Sequence, residues 1–160
     1  MRQIRMRTSS KPAGYSGTAL AKKLGIVEGG RVHLRRAPHE YLSWLEPLPP
    51  GVEFIGEVSN RTDLVHAFCE RKAELKAELA ELRASIRSDA ALWVSWPKKG
   101  SKRESDITED TIRELALPLG FVDVKVCAVS ETWSGLKLVI RKELRGSTAR
   151  GVAPRSREGT

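Results

Sequence analysis

The segment Glu70–Arg87 constrains the fold more than any other part of the chain. Leu75, Leu79, Leu82 and Ile86 recur at a four-three-four spacing, which lays one apolar stripe along about five helical turns. Most positions between them are Ala, Glu, Lys or Arg, which are strong helix formers. A stripe shorter than two heptads is a poor coiled-coil seam, so the expected partner of this helix is a sheet. Strand-like runs stand on either side of it, Asp63–Phe68 before and Ala90–Trp96 after.

The alternation extends in both directions. Gly14–Thr18 reads as a turn, with Ser16 or Thr18 capping a short helix through Leu24 that Gly25 ends. Glu28-Gly29-Gly30 turns the chain into a strand, Arg31–Arg36. His39–Glu46 reads as a short helix offering Leu42, Trp44 and Leu45 for burial, stopped by Pro47, Pro49 and Pro50. Val52–Glu57 is a short strand. About six residues link it to the strand at Asp63 and cover roughly 20 Å, barely enough to return and restart in parallel. It is therefore expected either to run antiparallel or to lie beyond the Arg31–Arg36 strand, the doubly wound arrangement, which is preferred. Further on, Thr108 caps a helix through Leu117 and Gly120 ends it. Val122–Val129 and Leu136–Lys142 are strands joined by a Glu131–Gly135 turn, a connection short enough only for antiparallel neighbours. The expected fold is α/β: a three-layer Rossmann-like sandwich of methyltransferase-like topology, with a mostly parallel sheet ending in an antiparallel hairpin.

The chain of 160 residues suits one domain. Its net charge of +8 is unevenly spread: residues 1–11 carry +4, residues 145–160 carry +3, and the body carries +1. The domain is accordingly placed at 12–144 between two basic, disordered ends. Such ends attract nucleic acid nonspecifically, a weaker expectation than a small ligand bound by the body. No apolar run approaches the roughly 18 residues that span a bilayer, so no membrane partner is expected. The basic start lacks the apolar core of a secretory signal. Cys69 and Cys127 sit in apolar runs, where buried reduced thiols are usual, and a cytoplasmic location is expected.

Two loops carry the functional signal. Ser95–Lys102 and Ser130–Lys137 each follow a strand-like run, so both should emerge at the edge of the sheet where open α/β folds bind ligands. Trp96 offers a stacking face, and Lys98, Lys99 and Lys102 compensate an anion. Arg35 and Arg36 leave the first strand at the same edge. Trp133, Ser134 and Lys137 lie in or beside the hairpin turn, where Glu131 is a candidate acid or base. The expected ligand is an anionic small molecule or nucleotide. These residues name no reaction and no cofactor.

Several sharper readings fail on spacing. Dinucleotide-type and methyltransferase sites need glycines after the first strand so that backbone approaches the cofactor. Here that position reads Arg35-Arg36-Ala37-Pro38-His39, although Glu57 could be proposed for ribose hydroxyls. No phosphate-cradling G-x-x-x-x-G-K-[ST] loop is present. Ser95–Lys98 and Ser134–Lys137 match Ser-x-x-Lys, but one serine is in a strand and the other in a turn, where the amine does not meet the hydroxyl. His66 and Cys69 have a metal-like spacing without a second pair, so no metal is expected.

With those residues in view, the chain resembles an uncharacterised bacterial family, domain of unknown function 3052. The resemblance rests on Ala13-Gly-Tyr-Ser-Gly-Thr18, Leu20-Ala-Lys-Lys-Leu-Gly25, Asp63-Leu-Val-His66 and Ala91-Leu-Trp-Val-Ser-Trp-Pro-Lys98. It continues through Val122-Asp-Val-Lys-Val-Cys-Ala128 and, most specifically, Glu131-Thr-Trp-Ser-Gly-Leu-Lys-Leu-Val-Ile-Arg-Lys142. It implies a small, cytoplasmic, single-domain bacterial protein and supplies no activity or catalytic residue. A ligand-binding domain is the first expectation; a diverged S-adenosylmethionine-dependent methyltransferase and a protein or RNA interaction module are the alternatives.

Overall fold

The computed structural model describes residues 19–149. The basic segment 1–11, the turn and caps expected at Gly14–Thr18, and residues 150–160 lie outside them. In chain order the elements are α1 (Leu20–Leu24), β1 (Arg31–Arg35), α2 (Tyr41–Trp44), β2 (Glu53–Ile55), β3 (Leu64–Phe68) and α3 (Lys72–Ser85). There follow β4 (Ala91–Pro97), α4 (Glu109–Ala116) with a 3-10 turn at Leu117–Leu119, β5 (Phe121–Ala128), β6 (Trp133–Ile140) and α5 (Lys142–Ala149). Six strands form one sheet in the order β2-β1-β3-β4-β6-β5. β1 pairs in parallel with β2 and β3, and β3 with β4, whereas β6 runs antiparallel to both β4 and β5. The doubly wound placement of β2 beyond β1 is thus the one the chain adopts.

Strand alternation divides the core between two faces. Val65, Leu92, Val94, Trp96, Leu136 and Leu138 point to the α3–α4 side, where Leu75, Leu79, Leu82, Ile86 and Ile112 meet them. Val32, Leu64, Phe68 and Trp93 point to the other side and pack on Leu20, Leu24, Tyr41 and Leu45 from α1 and α2. Leu75, Leu79 and Leu82 are wholly buried; each contributes about 2 kcal/mol of burial free energy. α4 starts on a reciprocal cap: the Thr108 hydroxyl accepts from the Thr111 N–H, and the Thr111 hydroxyl accepts from the Thr108 N–H. Gly120 then takes a left-handed φ of 101° and turns the chain into β5. No helix among the described residues is long and apolar enough to cross a membrane.

Three local expectations need correction. β6 begins at Trp133, three positions before the expected Leu136. The Ser130 hydroxyl accepts from the N–H groups of Thr132 and Trp133, both at 3.1 Å, so the turn closes early and the strand restarts at once. Gly135 therefore lies inside the strand, where its missing side chain admits Val129 and Trp93; a β-carbon would stand 3.0 and 3.2 Å from them. In α2, Tyr41 is buried and Leu42 exposed, the reverse of the expected apolar choice, because the Tyr41 hydroxyl finds a partner inside. Finally, α5 continues past Arg145, where the tail was expected to begin, and Arg145 donates to the Ile140 carbonyl.

Candidate functional site

The carboxyl ends of β1 to β4, the end of β5 and the start of β6 all face one edge of the sheet. From β1 the chain passes to α2 on one face, and from β3 to α3 on the other. The crevice between these adjacent strands is therefore the topological switch point. Beside it lies a hollow of about 600 Å³. Its walls are Arg36, Pro38, His39 and Glu40 after β1, Trp44 of α2, Gly100–Arg103 after β4, and Ser130–Trp133 of the hairpin.

The two signal loops are fastened together as their sequence suggests. Pro97 pairs with Trp133 at the strand ends, and the Lys98 N–H donates to the Thr132 carbonyl at 2.7 Å. Asp106 anchors the far end of the β4–α4 loop, accepting from the Lys72 N–H at 2.6 Å. In between, Arg103 donates to Glu70 at 2.7 Å and stands 5.1 Å from the centre of the Trp133 ring, a cation–π contact at the mouth of the hollow.

Beneath Trp133 the floor is aromatic and its polar atoms are satisfied. Phe68 meets Trp133 edge-on at 5.0 Å and stacks on His66 at 4.5 Å. His66 Nδ1 lies 2.7 Å from the Tyr41 hydroxyl and Nε2 lies 2.7 Å from the Ser95 hydroxyl. Burial pushes the imidazole down to about 3, so the ring is neutral and accepts at one nitrogen while donating at the other. The same burial raises the Tyr41 phenol well above its ordinary value.

Arg36 forms the wall nearest the switch point. It has a φ of 58°, a left-handed value that glycine adopts most easily. Its Nε donates to the Phe68 carbonyl at 3.0 Å, and its guanidinium pairs with Glu78 and, at 3.5 Å, with Glu74. The side chain thus lies across the carboxyl ends of β1 and β3. Glu78 is only 6% exposed and is shared with Arg35, which also reaches Glu81. Partial burial opposes the charge on both arginines, but the hydrogen-bonded glutamates outweigh it and raise both above the ordinary value. Cys69, in contact with Arg36, is pushed up to about 11 by burial.

Of the residues expected at the site, Arg36, Lys102, Glu131 and Trp133 come together in the hollow. Lys102 and Glu131 form no ion pair among the described residues. Lys98 and Lys99 belong to the same loop without lining the hollow. The other four residues point elsewhere. Arg35 turns to α3, Trp96 is buried against the α3–α4 core, and Ser134 pairs with Trp96 on that same face. Lys137 shares the face of Trp133 but lies four residues down the strand, beside α1. Adjacent strand residues face opposite ways, so Trp133 and Ser134 part company; Arg35 and Arg36 both reach Glu78 of α3, because Arg36 has left the strand with a left-handed φ of 58°. Sequence reasoning missed Arg103, although it continues the basic loop, and Trp44, which reads as core. His39, Glu40, Ser130 and Thr132 carried no motif. Among the described residues no three of His, Cys, Asp and Glu gather where a metal ion could sit.

A family model described as "protein of unknown function (DUF3052)" matches residues 53–142. No curated protein matches the sequence. Among solved structures, a putative type 11 methyltransferase from Sulfolobus solfataricus is similar with a TM-score of 0.55 and 11% identity, over 77% of this chain and 90% of that one. An S-adenosylmethionine-dependent methyltransferase from Aquifex aeolicus gives 0.52 and 16%, over 76% and 88%. Fibrillarin from Aeropyrum pernix, solved with natively bound S-adenosyl-L-methionine, gives 0.51 and 12%, over 76% and 72%. At these identities the likeness is one of fold.

Proposed function

The chain belongs to the DUF3052 family, and from that premise and the geometry above we propose that it is a domain binding a small anionic ligand at the carboxyl edge of its sheet. The observation that carries this reading is the convergence of three loops on one hollow at the topological switch point. Its volume of about 600 Å³ falls within the range of small-molecule sites, roughly 300–1,000 Å³. The half-buried Trp44 offers apolar surface for a planar group, and Trp133, only 5% exposed, closes the floor beneath it. Lys102, with no ion pair among the described residues, is set to receive an anion, Arg103, held by Glu70, adds positive charge beside it, and Glu131 is available to accept a proton or a hydroxyl hydrogen bond. Nucleotides satisfy both demands. Cys69 and Cys127 are free, in keeping with a reducing, cytoplasmic setting.

Thermal-shift titration with nucleoside mono- and triphosphates tests the proposal. A ligand at 100 times its dissociation constant stabilises by about 2.7 kcal/mol, and Lys102→Ala with Arg103→Ala should abolish that shift while leaving the unliganded melting temperature nearly unchanged. A shift that survives both substitutions would place the ligand elsewhere, and no shift from any anionic ligand would remove the reading.

The second reading is a diverged S-adenosylmethionine-dependent methyltransferase, favoured by the fold of the neighbouring structures. The residues present do not fit that cofactor. Where backbone should approach it, the chain has Arg36-Ala37-Pro38, and the Arg36 side chain fills the ends of β1 and β3. Stabilisation by millimolar S-adenosylmethionine would restore this alternative.

A further inference from the structure

The turn between β5 and β6 leaves one buried proton without a partner. Ser130 is only 7% exposed and lines the hollow. Its Oγ accepts from the Thr132 and Trp133 N–H groups, both at 3.1 Å, so both lone pairs of the hydroxyl are taken. What remains to it is a donor, and no described residue accepts that proton. The turn asks only for an acceptor, which Asp or Asn supplies at least as well as Ser. The proton is therefore surplus to the turn. Buried donors are normally satisfied, so a group that fills the hollow gains by accepting this one.

Two more unmatched donors belong to the facing loop. Arg103 uses its Nε on Glu70 at 2.7 Å, and its terminal amino groups donate to no described residue. Its guanidinium stands 5.1 Å from the ring centre of Trp133, whose own N–H is bonded to Ser130. Lys102 precedes it and has no ion pair among the described residues. The hydrogen bond of 2.7 Å from the Lys98 N–H to the Thr132 carbonyl holds the two loops together. A hydroxyl, an ammonium and a guanidinium thus come from two loops to one hollow. Arg36 differs from them, because Glu74 and Glu78 already match its charge. Glu40 and Glu131 line the same hollow, and as carboxylates they only accept.

Building on the anion-binding reading of this hollow, we propose that the ligand is a sugar phosphate, free or within a nucleotide, and that Ser130 donates its proton to a phosphate oxygen. Three donors carried by two loops suit the three terminal oxygens of a phosphomonoester, whereas a carboxylate offers two oxygens in one plane. Lys102 and Arg103 offset the charge of the phosphate through charge-assisted hydrogen bonds. The carboxylates of Glu40 and Glu131 repel a phosphate and accept from hydroxyl groups, so they face the sugar that carries it.

The test is isothermal calorimetry of the full chain with adenosine 5′-monophosphate and ribose 5-phosphate, against adenosine and the sugar carboxylate ribonate. At least one phosphate should bind about 100-fold more tightly than either control. Binding of ribose 5-phosphate marks the sugar phosphate alone as sufficient, and binding of the monophosphate only marks the nucleotide. Ser130→Asp keeps an acceptor for the turn but removes the donor, and should weaken phosphate binding by about 100-fold. Ser130→Asn keeps both acceptor and donor and should weaken it by under about tenfold. Both variants should melt close to the wild type when unliganded. Should the aspartate variant melt lower, a crystal of the wild type with the monophosphate decides, by whether a phosphate oxygen lies about 2.5–3.0 Å from Ser130 Oγ. The proposal is overturned if neither phosphate binds, if Ser130→Asp binds like the wild type, or if Ser130→Asn loses binding as fully as Ser130→Asp. It is also overturned if ribonate binds as tightly as ribose 5-phosphate. In those cases an anion whose binding is lost in Lys102→Ala with Arg103→Ala leaves the broader reading standing. No binding of any anion, nucleoside triphosphates included, removes both.

Discussion

Replacing His66 with glutamine probes how the floor of the hollow is held. The ring is completely buried, bonded at both nitrogens to Tyr41 and Ser95, and pushed down to about 3 from an ordinary 6.5. In the unfolded chain it titrates at its ordinary value. Between those two values the unfolded state therefore binds a proton that the folded state refuses. The stability contributed by the neutral ring is fully present above the unfolded value and is lost as pH falls below it, at about 1.4 kcal/mol per pH unit. From pH 6.5 to about 4.5 the loss specific to His66 is about 2.7 kcal/mol. Glutamine does not titrate. At pH 7 His66→Gln should be destabilised by about 1–3 kcal/mol, through poorer hydrogen bonding to Tyr41 and Ser95, and this deficit should shrink by about 2.7 kcal/mol, or reverse, by pH 4.5. Glu81 and Asp123, held below the ordinary carboxylate range by Arg35 and Arg113, also lose stabilisation in acid. So does Asp63, where partial burial is outweighed by the Arg31 N–H and Arg87. These groups are present in both proteins and cancel in the difference. Urea unfolding followed by tryptophan fluorescence at several pH values measures it. A deficit that stays constant from pH 7 to 4.5 would refute the claim that the fold keeps this ring neutral.

Two further substitutions test the frame around the site. Gly135→Ala should destabilise by about 1–3 kcal/mol, because the new carbon would press on Val129, Trp93 and the Ser95 hydroxyl at 3.0 to 3.3 Å; an unchanged urea midpoint would show that these neighbours yield freely. Glu78→Ala leaves Arg35 with Glu81 and Arg36 with Glu74 and the Phe68 carbonyl, yet removes their shared buried carboxylate, and should cost about 3 kcal/mol in chemical denaturation. A loss below about 0.5 kcal/mol would mean that the outer carboxylates suffice.

Much of the fold was legible because its signals are local. The stripe from Leu75 to Ile86 needs only the helical period, and all four residues are buried as it requires. For β2, chain reach left two arrangements, antiparallel or beyond β1, and the structure adopts the preferred second one. The early start of β6 was hidden because Gly135 reads as a turn residue, and only the approach of Val129 and Trp93 explains a glycine within the strand. Half of the candidate site suffered from a similar limit. Trp96 and Trp133 are equally suited to stacking as residues, but Trp96 faces the side that α3 and α4 cover, and Trp133 faces the side on which the hollow opens.

The sequence by itself determined the period of the main elements and the edge at which the two signal loops emerge, because hydrophobic spacing and turn chemistry act over a few residues; the choice between an antiparallel β2 and the doubly wound order was made by the tertiary structure. Which of two adjacent side chains meets the hollow, which carboxylate claims each arginine, and how Tyr41, His66 and Ser95 find one another across 25 and 29 residues of chain were decided only in the tertiary structure. Those outcomes depend on strand register and on which helix covers which face, and both are set by contacts between segments far apart in the chain.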